Sequence, residues 1–390
     1  MPMTSPKRPT QHYMGFEQGP IRPPSEAFSL LIRVTRNCPW NHCSFCPVYK
    51  GTRFSIRPVD HVKRDIDLIF QYIDILKSST GPDGTIRPDQ VRGALQGVNQ
   101  GSQQALQAAA HWFSTGMESM FIQDANSLII KPDHLVDILN HFKSRFPGVK
   151  RITSYARSHT IARIRDDDLK RIAGAGLNRI HIGLESGSDA VLKTVKKGVT
   201  KADHIKAGCK VKAAGMELSE YVMPGLGGQA LTREHAVETA DALNQINPDF
   251  IRLRTLAIPN GLPLFDDWET GRFEKLTDLA VAKEIRLFIE NLNGISSVLA
   301  SDHILNLFEE IRGRFPEDKP AMLGTLDQFL SMPAESRCTY QVGRRLGLFS
   351  RLSDMADTTR LHQAEHARRE FGVTPDNVDD MIDELMKRYI

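Results

Sequence analysis

Residues 33–51 read RVTRNCPWNHCSFCPVYKG and contain three of the five cysteines of the chain, Cys38, Cys43 and Cys46, within nine positions. The preceding run FSLLIRV, residues 28–34, is apolar and of strand length, so the cysteines are expected on the loop after a first strand. Cys209 and Cys338 are far away and isolated. This stretch therefore predicts a metal site with three thiolates and one open coordination position.

The composition is that of an ordinary soluble protein, with 390 residues of which 41% are hydrophobic and 25% charged. A net charge of +3 is too small to indicate a nucleic-acid footprint, and no segment approaches the roughly 18 apolar residues that span a bilayer. The N-terminus has no apolar signal segment, so we expect a cytoplasmic protein. Cytoplasmic thiols stay reduced, which favours metal ligands over disulfides.

The spacing C-x4-C-x2-C is compatible with two kinds of metal site. An iron–sulfur cluster can be held by three cysteines of one loop, with one iron left for another ligand. A structural zinc ion needs a fourth ligand, which would have to be His42 or a distant Cys or His. The sequence favours the cluster and leaves zinc as the alternative.

From residue 119 onward, short apolar strands alternate with amphipathic helices that end at Gly or Pro. Six such strands before residue 256 predict an α/β fold with a parallel sheet, either a partial barrel or a doubly wound open sheet. We divide the chain into an extended arm (1–27), a core (28–258) with an insertion near 77–110, and a mainly helical C-terminal region (259–390). Helices are predicted there over 302–315 and from Thr374 onward, among others.

The cysteine loop resembles that of the radical S-adenosylmethionine (radical SAM) superfamily, whose usual spacing is C-x3-C-x2-C with an aromatic residue before the last cysteine. Phe45 supplies that aromatic residue, and the first interval is one residue longer here. The resemblance implies a partial (β/α)6 barrel of parallel strands and a [4Fe–4S] cluster on Cys38, Cys43 and Cys46. It also implies reductive cleavage of S-adenosylmethionine (SAM) to a 5′-deoxyadenosyl radical that abstracts hydrogen from a substrate.

The resemblance further implies SAM contacts at the ends of the second and third strands. FIQDANSLI places Asp124 and Asn126 where the family has a motif that receives the SAM amino group. TSYARS places Arg157 where it could contact the SAM carboxylate. Without the resemblance, Asp-Ala-Asn after a strand is more typical of a turn or helix cap, and Arg157 is equally compatible with a surface arginine.

The fourth and fifth strands end in HIGLESGSDAVL and EYVMPGLGGQ. The first resembles the IGLES-type segment of the coproporphyrinogen-dehydrogenase and methylthiotransferase branches, in which Glu185 would contact SAM. In the second, Pro224 and Gly225 permit close backbone approach to a flat ligand such as adenine. No spacing argument assigns a catalytic residue.

The resemblance implies an electron donor such as a flavodoxin or ferredoxin, and we expect a small-molecule substrate, with no membrane partner. Two other functions stay open. One is a haem-binding chaperone on the same scaffold, with His181 or His204 as an axial ligand. The other is a non-catalytic iron–sulfur or zinc-binding protein. Arg33, Arg36, Arg53 and Arg57 around the loop could stabilise the charge of a cluster, hold an acidic substrate or face solvent.

Overall fold

The computed structural model describes residues 12–95 and 103–386. Its internal contacts define two compact units. The first comprises Met1–Pro39, Thr52–Tyr155 and Arg171–Asn178, and the second comprises Trp40–Gly51, Ala156–Lys170 and Arg179–Ile390. The cysteine loop thus contributes Cys38 to the first unit and Cys43 and Cys46 to the second.

The first unit contains three parallel strands with helices beside them. In chain order its elements are β1 (Leu30–Arg33), β2 (Thr35–Arg36), β3 (Ser55–Ile56), α1 (Val59–Ser78), α2 (Pro88–Leu95), α3 (Gln103–Ser114), β4 (Ser119–Gln123), α4 (Pro132–Arg145) and β5 (Arg151–Ala156). β4 pairs in parallel with β1 and with β5, while β2 and β3 form a separate antiparallel pair. The apolar stripe of α1, from Val62 to Leu76, is buried as its spacing predicts.

The second unit continues the strand–helix alternation. Its elements, with α6 extending into the residues of the first unit, are α5 (Ser158–Ile161), α6 (Asp166–Gly174), β6 (Arg179–Glu185), α7 (Asp189–Thr194), α8 (Lys201–Ala213), β7 (Glu217–Val222), α9 (Gly228–Ile246), β8 (Phe250–Leu253), α10 (Pro263–Glu269), α11 (Asp278–Asn291), β9 (Val298–Ala300), β10 (Arg312–Arg314), α12 (Lys319–Ser331), α13 (Ala334–Arg345), α14 (Thr358–Glu370) and α15 (Val378–Met386). β6, β7, β8 and β9 pair in parallel in that order, and β10 pairs antiparallel with β9.

The α/β class with parallel strands is confirmed, and all six strands expected before residue 256 are present as β1, β4, β5, β6, β7 and β8. α2 falls in the range 77–110, where an insertion is expected, and α3 extends past it to Ser114; the insertion stays a prediction, and residues 96–102 are outside the described ranges. Residues 1–11 of the expected arm are also outside them. No helix in the described ranges is long and apolar enough to cross a membrane.

The helix predicted over 302–315 is wrong. Asn306 is instead hydrogen-bonded to the end of β8 and the residues that follow it. Its side chain donates to the Leu253 carbonyl (2.8 Å) and accepts from the Thr255 amide (2.8 Å). Residues 312–314 form β10 instead of a helical turn. The last helix begins at Val378, so the predicted cap at Thr374 is wrong as well. In the first place the long-range hydrogen bonds of Asn306 override helix propensity. In the second, a local bond from the Thr374 amide to the Asn377 side chain does so.

Glu220 is a fully buried acid at the middle of β7, where its register neighbours are Ile182 of β6 and Ile251 of β8. Within the part of the chain that the structure describes, neither carboxyl oxygen has a hydrogen-bond partner. Burial raises the pKa of Glu220 well above its ordinary value of 4.5, and the Glu185 carboxylate adds to the effect. The folded protein therefore keeps this group protonated at pH values where the unfolded chain releases the proton.

We therefore expect Glu220→Met to be more stable than the wild type, with a gain that grows as pH rises. A group with a raised folded pKa contributes its full stability below the unfolded pKa and loses it as pH rises, by up to about 1.4 kcal/mol per pH unit for one proton. Urea unfolding at pH 5 and pH 8 measures the gain. Glu217→Met, at the exposed start of β7, is the control, and a pH-independent gain for Glu220→Met would contradict the assignment.

Candidate functional site

The second half of the cysteine loop, Trp40–Gly51 (the half-loop), packs into the core of the second unit. Phe45 is buried in an apolar cluster, and Cys43 and Cys46 lie against it, partly exposed. The other buried members of this cluster are Val191, Val195, Met223, Leu226, Leu256, Ile258, Leu264 and Phe273. The aromatic residue noted in the sequence thus anchors the loop, while the two thiols beside it keep some access to solvent.

A tight turn after α7 holds the same half-loop through backbone contacts. The Ser44 amide donates to the Val195 carbonyl (3.0 Å), and the Trp40 indole donates to the Lys196 carbonyl (2.7 Å). Lys196 and Gly198 both have positive φ, +54° and +72°, which gives the turn its shape. Residues 195–198 carry no motif that would reveal this role in sequence.

Trp40 is one of the four residues between Cys38 and Cys43, the interval that is one longer than usual. The Arg157 guanidinium lies 5.2 Å from the centre of its ring, and Arg157 also donates to the Lys197 carbonyl (2.8 Å). Gly198 approaches the ring so closely that an added Cβ would lie 2.3 Å from it. Arg157 therefore supports the loop in this structure, and its predicted contact with the SAM carboxylate stays a prediction.

Glu185 ends β6 with a positive φ of +64°, and its carboxylate accepts from the Lys197 ammonium at 3.0 Å. The same ammonium lies 5.8 Å from the centre of the Phe45 ring. Burial opposes the charged form of Lys197, but Glu185 and Cys43 outweigh burial and raise the pKa of Lys197. The second unit thus places a positive charge beside the half-loop. The sequence carries no signal for this charge, because a lysine 12 positions after a glutamate is not a motif.

Pro224 and Gly225 follow β7 and lie beside the chain that follows β8. The Leu256 amide donates to the Pro224 carbonyl (2.9 Å), and the Gly225 amide donates to Glu284 (2.7 Å). Both residues line a cavity of about 190 Å³ together with Thr255, Leu256 and Trp268. The ends of two neighbouring parallel strands therefore border an open space, as expected for a ligand site in this class of fold.

In the first unit, Asp124 and Asn126 follow β4 and are both fully buried. Asp124 has a positive φ of +71°, and its carboxylate pairs with the Arg33 guanidinium at 2.6 Å. A contact of Asp124 or Asn126 with the SAM amino group stays a prediction, and for Asp124 the ion pair with Arg33 would have to be shared with that ligand.

Three of the four arginines around the cysteine loop converge on Glu17 of the N-terminal arm. Arg36 and Arg57 each approach its carboxylate to 2.7 Å and Arg33 to 3.4 Å. Burial alone would raise the pKa of Glu17, but Arg36, Arg57 and Arg33 outweigh burial and lower it. Their partner in the structure is thus a carboxylate of the chain itself. Arg53, in contrast, is exposed.

None of the five cysteines forms a disulfide, so the donor set of the loop is chemically suited to a thiolate-ligated cluster. Over the described ranges, no group of three or more His, Cys, Asp or Glu side chains is arranged around one point as ligands of a single metal ion. His181 and His204, the candidate haem ligands, are fully buried in the second unit, and His204 contacts Ser158 at 2.6 Å.

The sequence profile of the radical SAM superfamily matches residues 32–243, more than half of the chain. The chain belongs to the radical SAM superfamily. Members bind a [4Fe–4S] cluster and SAM, which are therefore the cofactors of this protein, and the partial barrel of parallel strands expected from sequence is the fold class of the family. Which residues hold the cluster and SAM stays a prediction.

Comparisons with individual proteins are weaker than the family match. The tRNA uridine(34) acetyltransferase of Methanocaldococcus infernus is 24% identical over 110 residues, 28% of this chain and 21% of the relative. The tRNA-2-methylthio-N(6)-dimethylallyladenosine synthase of a Hydrogenobaculum species is 26% identical over 168 residues, 41% of this chain and 38% of the relative. This radical SAM protein thus spans about a fifth to two fifths of the length of these curated relatives.

Among solved structures, the coproporphyrinogen III oxidase of Escherichia coli, a radical SAM enzyme, aligns with a TM-score of 0.44 and 14% identity. The alignment covers 68% of this chain and 52% of that chain.

The contact of Trp40 with Gly198 gives a testable expectation for the longer cysteine interval. Gly198→Ala adds a Cβ at positive φ and against the Trp40 ring, whereas Gly215→Ala adds one at φ +79° with no atom within 4 Å. We expect Gly198→Ala to destabilise the protein by about 1–3 kcal/mol more than Gly215→Ala, the usual cost of overpacking. Urea unfolding of the two variants measures the difference, and Trp40→Ala in the Gly198→Ala background should remove most of it. Equal losses in the two glycine variants would show that Trp40 does not occupy this position.

Proposed function

We propose that this radical SAM protein binds its [4Fe–4S] cluster through Cys38, Cys43 and Cys46 and cleaves SAM reductively. The single observation that carries the proposal is the set of three cysteines, spaced C-x4-C-x2-C on the loop between β2 and β3, in a chain that matches the superfamily profile. When bound and reduced, the cluster would supply the electron that splits SAM into methionine and a 5′-deoxyadenosyl radical, which would abstract a hydrogen atom from the substrate.

The residues of the second unit have three distinct tasks in this proposal. Phe45 anchors the half-loop in the apolar cluster, so that Cys43 and Cys46 are held in place before the metal binds. Lys197 provides a positive charge that favours the thiolate form beside it. Glu185, together with the backbone of Pro224 and Gly225, offers polar groups at the carboxyl ends of β6 and β7, where SAM would bind.

We propose a small molecule as the substrate, because the net charge of +3 provides no strong basic footprint. A tRNA is the alternative substrate, favoured by the tRNA-directed activities for which the two curated relatives are named. The electron donor in the cell is proposed to be a flavodoxin or ferredoxin, and the proposed location is the cytoplasm.

Anaerobic reconstitution with iron and sulfide, followed by dithionite and SAM, tests the proposed function. The expected result is about four iron and four sulfide per chain and release of 5′-deoxyadenosine. A well-folded sample that contains zinc instead of iron, or that holds a cluster and yields no 5′-deoxyadenosine, would overturn the proposal. Haem titration of the same samples tests the chaperone alternative, which predicts tight haem binding without SAM cleavage.

The substrate class is tested by adding fractions of a cell extract to the reconstituted protein and measuring which fraction accelerates 5′-deoxyadenosine formation. The proposal predicts acceleration by the low-molecular-mass fraction and none by purified tRNA. Acceleration by tRNA that is abolished by ribonuclease would establish the alternative.

A further inference from the structure

Two buried side chains hold the chain segments that leave β6 and β7: His235 of α9 contacts both segments, and Glu284 of α11 contacts the one after β7. The His235 Nδ1 atom lies 2.8 Å from the Ser186 hydroxyl, directly after Glu185, and its Nε2 atom lies 3.1 Å from the Met223 carbonyl, directly before Pro224. His235 is 2% exposed, and Ser186 is fully buried. One imidazole thus joins the two segments to which the proposed function assigns SAM contacts.

The hydrogen-bond partners of His235 determine that its Nε2 atom carries a hydrogen. A carbonyl oxygen only accepts, so the Nε2–H of His235 donates to Met223. When the ring carries a single N–H, at Nε2, Nδ1 accepts from the Ser186 hydroxyl. The Met223 amide in turn donates to the Glu185 carbonyl (3.0 Å), so a backbone bond and a side-chain link run in parallel between the two segments.

Glu284 extends the same network to Gly225. One of its oxygens accepts from the Gly225 amide (2.7 Å) and the other from the Thr232 hydroxyl (2.6 Å). The first of these oxygens is 3.7 Å from the His235 Nε2 atom. Because Glu284 is 4% exposed, these bonds are shielded from competition by water.

Helix α9 also contacts the segment after Glu185 at two further points. The Gly187 amide donates to the Thr239 hydroxyl (2.8 Å), and the Ser188 hydroxyl donates to Glu234 (2.6 Å). Gly187 lies so close to α9 that an added Cβ would be 2.3 Å from the Glu238 carbonyl oxygen. The segment after β6 is therefore fixed against α9, and His235 together with the Met223–Glu185 backbone bond links it to the segment after β7.

We infer that His235 and Glu284 are positioning residues that hold Glu185 and Gly225 in the relative arrangement that binds SAM. Neither side chain contacts the ligand in this arrangement; both act through the backbone segments that they fix. The inference rests on the proposed function, because it takes the SAM contacts of Glu185 and Gly225 from it.

The test compares SAM binding by reconstituted wild-type protein with that of His235→Phe, which removes both hydrogen bonds of the ring and keeps an aromatic side chain. The expected result is a rise of about tenfold in the Kd and KM for SAM, the effect of losing one to two neutral hydrogen bonds. The turnover rate at saturating SAM should change much less, and iron content not at all. His235→Gln, which can keep the bond to Met223, should give an intermediate Kd.

Asn244→Leu is the matched control on the same helix. Asn244 donates to the Asn291 carbonyl (2.9 Å) and accepts from the Asn293 amide (2.9 Å), so the variant also removes two hydrogen bonds of α9, but away from β6 and β7. It should lower stability without changing the Kd for SAM. Glu284→Gln, a shape-conserving change, should raise the Kd in the same direction as His235→Phe and carries the test if His235→Phe does not fold.

An unchanged Kd for SAM in the His235 and Glu284 variants, with a wild type that cleaves SAM, would overturn this inference and leave the proposed function intact. The inference also fails if Asn244→Leu weakens SAM binding as much as His235→Phe does. A wild-type protein that holds a cluster and does not bind SAM would overturn both the inference and the proposed function.

Discussion

Cys43→Ala is expected to yield a folded protein that retains no [4Fe–4S] cluster after reconstitution and forms no 5′-deoxyadenosine. The side chain of Cys43 lies at the surface of the apolar cluster beside Phe45, so its removal takes away a ligand and little packing. Two remaining thiolates cannot hold a four-iron cluster against loss to solvent. Iron and sulfide analysis, the visible absorption spectrum and product detection by mass spectrometry measure the effect.

Cys209→Ala is the control for this prediction. Cys209 is an exposed cysteine on α8, with its thiol 3.8 Å from the Gln245 carbonyl. We expect it to keep the iron content, spectrum and activity of the wild type. Equal iron content in the Cys43 and Cys209 variants would show that the wrong cysteines had been assigned to the cluster, and loss of iron in both would point to unfolding or to a different ligand set.

Arg57→Met is expected to cause the largest loss of stability, about 3–5 kcal/mol, the cost of removing one partner of a buried ion pair. The Arg57 side chain is 1% exposed and pairs with Asp65, itself fully buried, at 2.7 Å. It also pairs with Glu17 (2.7 Å) and donates to the Arg33 carbonyl (2.8 Å). Methionine fills a similar volume but leaves Asp65 without the Arg57 cation, while Glu17 keeps Arg36 and Arg33.

The substitution should also weaken the attachment of the N-terminal arm. Tyr13 of the arm donates to Asp65 (2.8 Å), and Glu17 of the arm pairs with Arg57. Burial already raises the pKa of Asp65 even with Arg57 beside it, so an unpaired Asp65 would take up a proton or draw in water. Urea unfolding measures the stability, and limited proteolysis measures release of the arm.

Arg53→Met is the matched control, since Arg53 lies in the same stretch and is exposed. It should change stability by no more than about 0.5 kcal/mol, as is usual for surface substitutions. A loss in Arg57→Met no larger than that of Arg53→Met would mean that the ion pairs around Glu17 contribute little.

The cysteine loop shows what one sequence determines by itself. Three thiolates within nine positions, with Phe45 between the last two, are a local pattern, so the cofactors and the family could be predicted without the fold. The six strands and most helices were also predictable, because hydrophobic periodicity is local information. The predicted helix over 302–315 failed where Asn306 bonds to residues about 50 positions earlier in the chain, since helical periodicity says nothing about such a partner.

The tertiary structure decided which charged and polar groups meet. The arginines around the loop could have faced a cluster, a substrate or solvent, and only the fold paired three of them with Glu17. Lys197 beside Glu185, the buried Glu220 and the His235 link carry no motif either, since each depends on contacts between segments 12 to 49 positions apart or on burial. Spacing along the chain fixes which ligands a loop can offer. Only the packing of distant segments fixes the charges, close approaches and hydrogen bonds that surround those ligands.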